Sequence, residues 1–414
     1  MTSNQVTPAE DVAPAKRPSP FASLSDRPFR WWFVSQVVSA SGGMTQAVAT
    51  AWLVLQMTDS AVALGGLTVA TMLPVLLLGA VGGSVVDRYD RRRILVWTQA
   101  VLAALGVGLY LFVEADAAGY WLILAFSAAG GLVMAVDGPA RQVYVLDLVG
   151  RERLASAVSL YEVILNTSRV VGPAAGAVVL VVWGAGPCIL LNAVTFLVPL
   201  AVLLVQRPPK RDAPAPRRRE KGAARAGLRY AWSVPLIRSC LLIAAASGII
   251  FNFGVLMPVL TTREFHLGSG GYGALLAVFG VGAVPGALLA ARTDAPTSRQ
   301  VGLLAAGTGA LMVLTAFAPA VPLLFVGMAA IGFVSIWMIA AANTLVQLRT
   351  EPALRGRVMG AWTMALPGMN PITGIAVGAL AQVTNARIAY AVAGLLLVAI
   401  VAGSRSTLLA RVEA

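Results

Sequence analysis

Gly83-Ser84-Val85-Val86-Asp87-Arg88-Tyr89-Asp90-Arg91-Arg92-Arg93 lies between two apolar runs, 62–86 and 94–113. A helix that reaches Gly83 has used about 20 apolar residues, enough to cross a ~30 Å hydrocarbon core. It then meets two acids and four arginines within seven residues. Such a cluster stays in water, and its arginine excess marks the cytoplasmic side. The stretch therefore predicts where two membrane helices end and which way each points.

Outward from it the same pattern repeats. Apolar runs occupy 31–57, 62–86, 94–113, 119–138, 155–182 and 186–205, then 236–260, 271–291, 301–318, 321–347, 355–381 and 385–403. The expected fold is all-α and membrane-embedded, with twelve transmembrane helices in two six-helix halves. The halves are 31–205 and 236–403, with a tail over 1–30, a linker over 206–235 and a second tail over 404–414. An even number of crossings puts both termini in the cytoplasm.

Composition agrees. The chain is 58% hydrophobic and 12% charged, against about 25% charged in soluble domains. The net charge of +13 does not imply nucleic acid. All basic residues except Arg169, Arg263 and Arg387 fall in segments expected to be cytoplasmic, which is the positive-inside asymmetry. Anionic lipid headgroups are the expected counter-charge. Cys188 and Cys240 are expected near opposite membrane faces, and His266 is the only histidine, so neither a disulfide nor a metal site is expected. The first 20 residues lack a signal peptide's apolar core and are expected to form a disordered tail. The linker is Pro-rich and basic, and Glu220 to Trp232 could lie as a helix on the membrane surface.

The pattern G-x-x-x-D-R-x-x-R-R-R over 83–93 resembles the signature loop between helices 2 and 3 of the major facilitator superfamily. The resemblance implies that Gly83 lets a neighbouring helix approach and that Asp87 sits near the N-terminus of a helix from the other half. Arg88, Arg91 and Arg92 would bind lipid phosphate or nearby carboxylates. Asp90 stands where the superfamily has glycine; Asp tolerates tight-turn backbone better than most residues. D-R-x-D-R-R-R is similar to the exporter branch typified by the enterobactin exporter.

Three further stretches carry the same resemblance. Gly172-Pro173-x-x-Gly176 in the fifth run resembles the superfamily's antiporter motif. Pro173 removes a backbone donor, and the two glycines permit close helix packing. Asp137-Gly-Pro139-Ala-Arg141-Gln142 resembles an F-D-x-P-A-R-Q stretch of the exporter branch. It is expected to close the fourth helix, since Pro139 argues against a continuous helix there. Asp137 and Arg141 would then join Asp87 and Arg88 in a cytoplasmic gating cluster. Asn343-Thr-Leu-Val-Gln347 with Arg355-Gly-Arg357 resembles a second-half stretch of that branch. The halves also echo each other weakly: Gly172…Gly176 matches Gly374…Gly378, as parallel repeats would.

The fifth run has the most informative polar face. Glu162, Asn166, Arg169, Pro173 and Gly176 share one helical stripe. A charge at a helix centre costs at least ~2.5–3.5 kcal/mol in hydrocarbon, so this stripe should face water or partners. Glu162 is the first candidate for carrying a proton, or else it pairs with a loop arginine; Asp137 is the next candidate and Arg169 their cationic neighbour. Helices 1, 4, 7 and 10 line the cavity in the superfamily. Candidate cavity residues are therefore Gln36, Ser39, Gln46, Asn252, Met257, Trp337 and Asn343, with Asn166 and Arg169 from the fifth helix and Trp362 and Asn370 from helix 11. Met, Trp and amide side chains suit bulky, partly apolar ligands.

These signals imply a monomeric secondary transporter of the bacterial cytoplasmic membrane. It would export a small, partly apolar molecule against entering protons. A lipid flippase or a proton-coupled importer of the same fold is the alternative. No G-x-x-x-x-G-K-[ST] stretch is present, so ATP drive and cofactors are not expected. No paired acids, Ser/His pair or metal cluster suggests an enzyme.

Overall fold

A computed structural model describes residues 22–150, 153–206, 223–250, 253–293, 295–351, 354–366 and 368–409. Among these the chain is helical with no strand. The first half comprises α1 (Arg27–Thr58), α2 (Ala61–Arg88), α3 (Arg91–Glu114), α4 (Tyr120–Val149), α5 (Leu154–Trp183) and α6 (Ala185–Val205). After the linker come α7 (Ala223–Ser233), α8 (Pro235–Ile250) and α9 (Phe253–Val259), which runs into a π-helical turn, Leu260–Glu264. Then follow α10 (Ser269–Ala291), α11 (Ser298–Ala316), α12 (Val321–Arg349), α13 (Arg355–Ala365), α14 (Asn370–Val383), α15 (Ala386–Gly403) and α16 (Arg405–Leu408).

Ten helical segments among the described residues are long and apolar enough to cross a membrane. The two remaining apolar runs are α1, whose sequence is diluted by Ser, Thr and Gln, and the pair α13–α14, interrupted by turns around Leu366 and Gly368. Side chains start several helices. Ser60 accepts from the Ala63 N–H, and Asn385 from the Ile388 N–H at 2.8 Å. Asp90 accepts from the Arg93 N–H at 2.8 Å and so serves as the N-cap of α3. Its φ is −62°, so no tight turn is needed and the capping bond explains an acid at this position.

The fourth helix departs from expectation. It runs unbroken through Pro139 to Val149 rather than closing near Asp137. Proline cannot bond the carbonyl of Ala135 one turn earlier. That oxygen lies against Gly82 of α2, where any β-carbon would collide with it. The missing side chain at Gly82 thus makes room for the carbonyl that Pro139 leaves free.

Within the first half α1 packs on α5 and α6, α2 on α4, and α3 on α6. In the second, α10 packs on α12, and α11 on α12 and α15. The halves meet through α2 on α14 and α5 on α10.

Candidate functional site

Two features stand out: a slot between the halves, shut at one end, and a buried ion pair in the first half. The shut end is opposite the arginine-rich loop. There α2 lies on α14 with almost no side chain between them. A β-carbon on Gly65 would stand 2.9 Å from the Gly374 carbonyl and 3.1 Å from the Ile375 Cα. One turn on, Gly378 meets the backbone of Ala61. Small residues four apart on facing helices permit this approach. The Gln382 Oε1 accepts the Ala61 N–H at 3.3 Å, and Arg263 pairs with Asp59 at 2.8 Å, both across the halves. Behind them Trp52 of α1 stacks on Tyr272 of α10, with ring centroids 6.3 Å apart. On the other flank Gly273 of α10 abuts Ala177 of α5.

Toward the basic end the halves part. A β-carbon on Gly79 of α2, or on Gly360 of α13, would have nothing within 4 Å. Leu76 and Met364 are exposed there. Asp87 and Arg88 close α2 in the open, and Gly83 is only partly covered. Their neighbours are engaged. Arg91 pairs with Asp147 of α4 at 2.8 Å, and Arg92 donates to the Leu203 and Leu204 carbonyls at 2.7 and 3.1 Å. Arg92 therefore caps the C-terminus of α6, where a cation is favoured, instead of reaching a carboxylate.

The ion pair lies inside the first half. Asp137 is fully buried on α4. Its Oδ1 accepts from the Thr98 hydroxyl at 2.6 Å and from Gln99 Nε2 at 2.8 Å. Its Oδ2 accepts from Arg141 Nε, and Arg141 Nη1 donates in turn to Gln36 Oε1 of α1. Because α4 is continuous, residues four apart share a face and the pair forms. The expected cluster with Asp87 and Arg88 does not include Asp137, which bonds to α3 and its own helix while the other two are exposed. Two buried atoms beside this network, Ser39 Oγ and Gln99 Oε1, have no protein partner. Thr98 and Gln99 were not singled out from sequence; a polar pair within an apolar run was their only signal.

The other candidates scatter. Gln46 accepts from Asn192 Nδ2 of α6 at 2.7 Å, which turns it into its own half rather than the slot. Gln36 and Ser39 are buried, Gln36 held by Arg141. Met257 and Trp362 are buried in the large apolar cluster. Trp337 stands edge-on to Phe333 at 5.8 Å, with its indole N–H unpartnered. Asn343 accepts from Gln347, and Asn370 begins α14 near Gly248. Arg169 is partly buried on α5. Gly172 and Gly176 pack on α1, where the Thr45 hydroxyl donates to the Gly172 carbonyl at 2.9 Å; Pro173 is buried between them. Their sequence echoes, Gly374 and Gly378, instead pack across the halves. Asn252 lies outside the described residues, as do the side chains of Glu162, Asn166, Arg355 and Arg357.

Comparison with known proteins gives a consistent result. Residues 18–414 match the family model described as transmembrane secretion effector. The chain is 28% identical over 365 residues to the multidrug efflux pump Tap of Mycolicibacterium fortuitum, covering 84% of this chain and 88% of that one. It is 26% identical over 362 residues to the enterobactin exporter EntS of Citrobacter koseri, covering 85% and 83%. The fold matches a crystal structure of a bacterial homologue of the iron transporter ferroportin in its inward-facing state. The TM-score is 0.66 at 16% identity, over 92% of this chain and 99% of that one.

Proposed function

The chain belongs to the transmembrane secretion effector family of major facilitator transporters, and on that premise we propose that it exports a small, partly apolar molecule in exchange for protons. Drugs, siderophores and secondary metabolites are the candidate loads, in line with multidrug efflux by Tap and enterobactin export by EntS. The basic end faces the cytoplasm of a bacterial cell, so the slot is open inward and sealed outward.

The observation that carries proton coupling is the Asp137–Arg141 pair. A proton on Asp137 removes the charge that balances a buried guanidinium. Leaving such a charge unpaired costs about 3–5 kcal/mol, ample to shift a two-state equilibrium by more than a hundredfold. Arg141 also holds Gln36, so the change reaches α1 directly. A proton taken up by Asp137 is thereby converted into a force between helices of the first half.

Alternation follows from the register of α2. Ala61 and Gly65 meet Gly378 and Gly374 in antiparallel order. Carrying that register fourteen residues inward puts Gly79 opposite Gly360, and Gly83 opposite Gly356. Fourteen residues are close to four turns of α2, so that helix presents the same face, while the break between α13 and α14 sets how α13 meets it. Opening the outer seal would let this second set of glycines close the inner one, with the turns between α13 and α14 as the bend.

Proteoliposomes with an imposed pH difference test the coupling. Asp137→Asn should abolish substrate-dependent proton movement while ligand binding persists. Glu162→Gln is the parallel test for the other acid. If both variants couple normally, the antiport mechanism is wrong.

A further inference from the structure

The two oxygens of Asp137 face opposite kinds of partner. Oδ2 accepts from Arg141 Nε on its own helix, and Arg141 reaches on to Gln36 of α1. Oδ1 accepts from two uncharged groups of α3, the Thr98 hydroxyl at 2.6 Å and Gln99 Nε2 at 2.8 Å. A guanidinium has only donors and a permanent charge, whereas a hydroxyl or a carboxamide can donate or accept. One side of the acid therefore depends on its charge, and the other does not.

Thr98 is placed for that exchange. Its hydroxyl has a single hydrogen and two acceptors in reach, Asp137 Oδ1 at 2.6 Å and the Leu95 carbonyl of its own helix at 3.1 Å. While Asp137 is ionised, the hydrogen goes to the carboxylate. Once Oδ1 carries a proton, Asp137 donates to the Thr98 oxygen and the Thr98 hydrogen turns to Leu95. Gln99 offers the same choice. Its Oε1 is buried with no partner among the described residues, so turning the amide end for end brings an uncommitted acceptor to Asp137. Whichever of the two takes the proton, the other can go on donating.

We infer that Thr98 and Gln99 are positioning residues that make proton uptake one-sided: it frees Arg141 and α1 while α3 stays bound to α4. The inference rests on Asp137 being the proton carrier. The surroundings leave the choice to these groups. Arg141 is the charged side chain bonded to Asp137. The facing part of α1 brings the uncharged Gln36 and Ser39, both buried. From α2 comes the face around Gly82, which meets Ala135, with Asp87 and Arg88 exposed beyond it. On α5 Arg169 is partly buried, and the Glu162 side chain lies outside the described residues. The freed helix is also the one that carries Trp52 and Asp59 of the outer seal. A proton on Asp137 thus acts on that seal along a single helix.

The test uses the full chain in proteoliposomes, with spin-label pairs at exposed positions. Val34 with Gln142 reports α1 against α4, and Arg93 with Gln142 reports α3 against α4. Between high and low pH the first distance should shift by several ångström and the second should stay. Asp137→Asn keeps a donor and an acceptor, as the protonated acid does, and should hold the low-pH distances at every pH. Thr98→Val combined with Gln99→Met should broaden the Arg93–Gln142 distribution at every pH, since α3 loses both bonds. Both distances shifting together in the wild type overturns the inference, and so does a wild-type Arg93–Gln142 distribution in the combined variant. If neither distance responds while Asp137→Asn still abolishes coupling, the inference fails alone. If neither responds and Asp137→Asn couples normally, the proton carrier is another group and the inference falls with it.

Discussion

Two single-methyl substitutions on α2 should move the transporter in opposite directions. At Gly65 a β-carbon would press on the backbone of α14, at 2.9 Å from the Gly374 carbonyl and 3.1 Å from the Ile375 Cα. Backbone yields little, so Gly65→Ala carries an overpacking cost of about 1–3 kcal/mol. That cost exists only while the outer seal is closed. At Gly79 the same methyl meets nothing within 4 Å, and its cost falls on the state in which α2 closes on α13. Replacing glycine by alanine inside a helix also favours the helix by up to about 1 kcal/mol, but equally in both states, so that term cancels. A difference of 1–3 kcal/mol corresponds to about 5–150-fold in the equilibrium. Gly65→Ala should therefore populate the outward-open form, and Gly79→Ala should deplete it. Spin labels at Ala117 and Ala320 report the outer separation, and labels at Gln206 and Ser404 the inner one. Double electron–electron resonance should show the outer distance lengthening in Gly65→Ala and the inner distance distribution narrowing to its long component in Gly79→Ala. If both variants shift the same way, the paired-glycine register is wrong.

Other expectations are simpler. Asp59→Asn should open the outer end only slightly, because the Asp59 side chain is 82% exposed and such pairs contribute about 0–1 kcal/mol; outer-label distances should change less than in Gly65→Ala. Arg141→Met should lower thermal stability markedly, since it strands the buried Asp137 carboxylate at a cost of about 3–5 kcal/mol. Combining it with Asp137→Asn should recover part of that loss, and a melting series over the four proteins measures the coupling. Thr98→Val should cost about 1–3 kcal/mol by removing a donor to a buried carboxylate, seen as a lower melting temperature in detergent. Gly82→Ala should destabilise by a similar amount, because its methyl collides with the carbonyl of Ala135. Retained wild-type melting in that variant would show that α4 can bend away.

The apolar runs located the helices because hydropathy is a property of each segment alone. The expected run 62–86 became Ala61–Arg88 and 321–347 became Val321–Arg349. The basic loops likewise marked one end of the bundle without any structure, because a cluster of arginines cannot enter hydrocarbon. Local reading misled at Pro139. Proline weakens a helix taken by itself, but a glycine on another helix accommodates the carbonyl it leaves free, and so Asp137 and Arg141 become partners. Gln46, Met257 and Trp362 looked like cavity residues because their types suit ligands. Each was instead claimed by a neighbour the sequence could not identify: Asn192 for the first, the packed apolar cluster for the others. The sequence alone therefore determined a membrane-spanning helical chain with one basic end. Which helices touch, which end of the slot is shut and which acid is buried beside an arginine were decided only by tertiary packing. The partners lie as far apart in the chain as Ala61 and Gln382, and no local pattern encodes a contact across that distance.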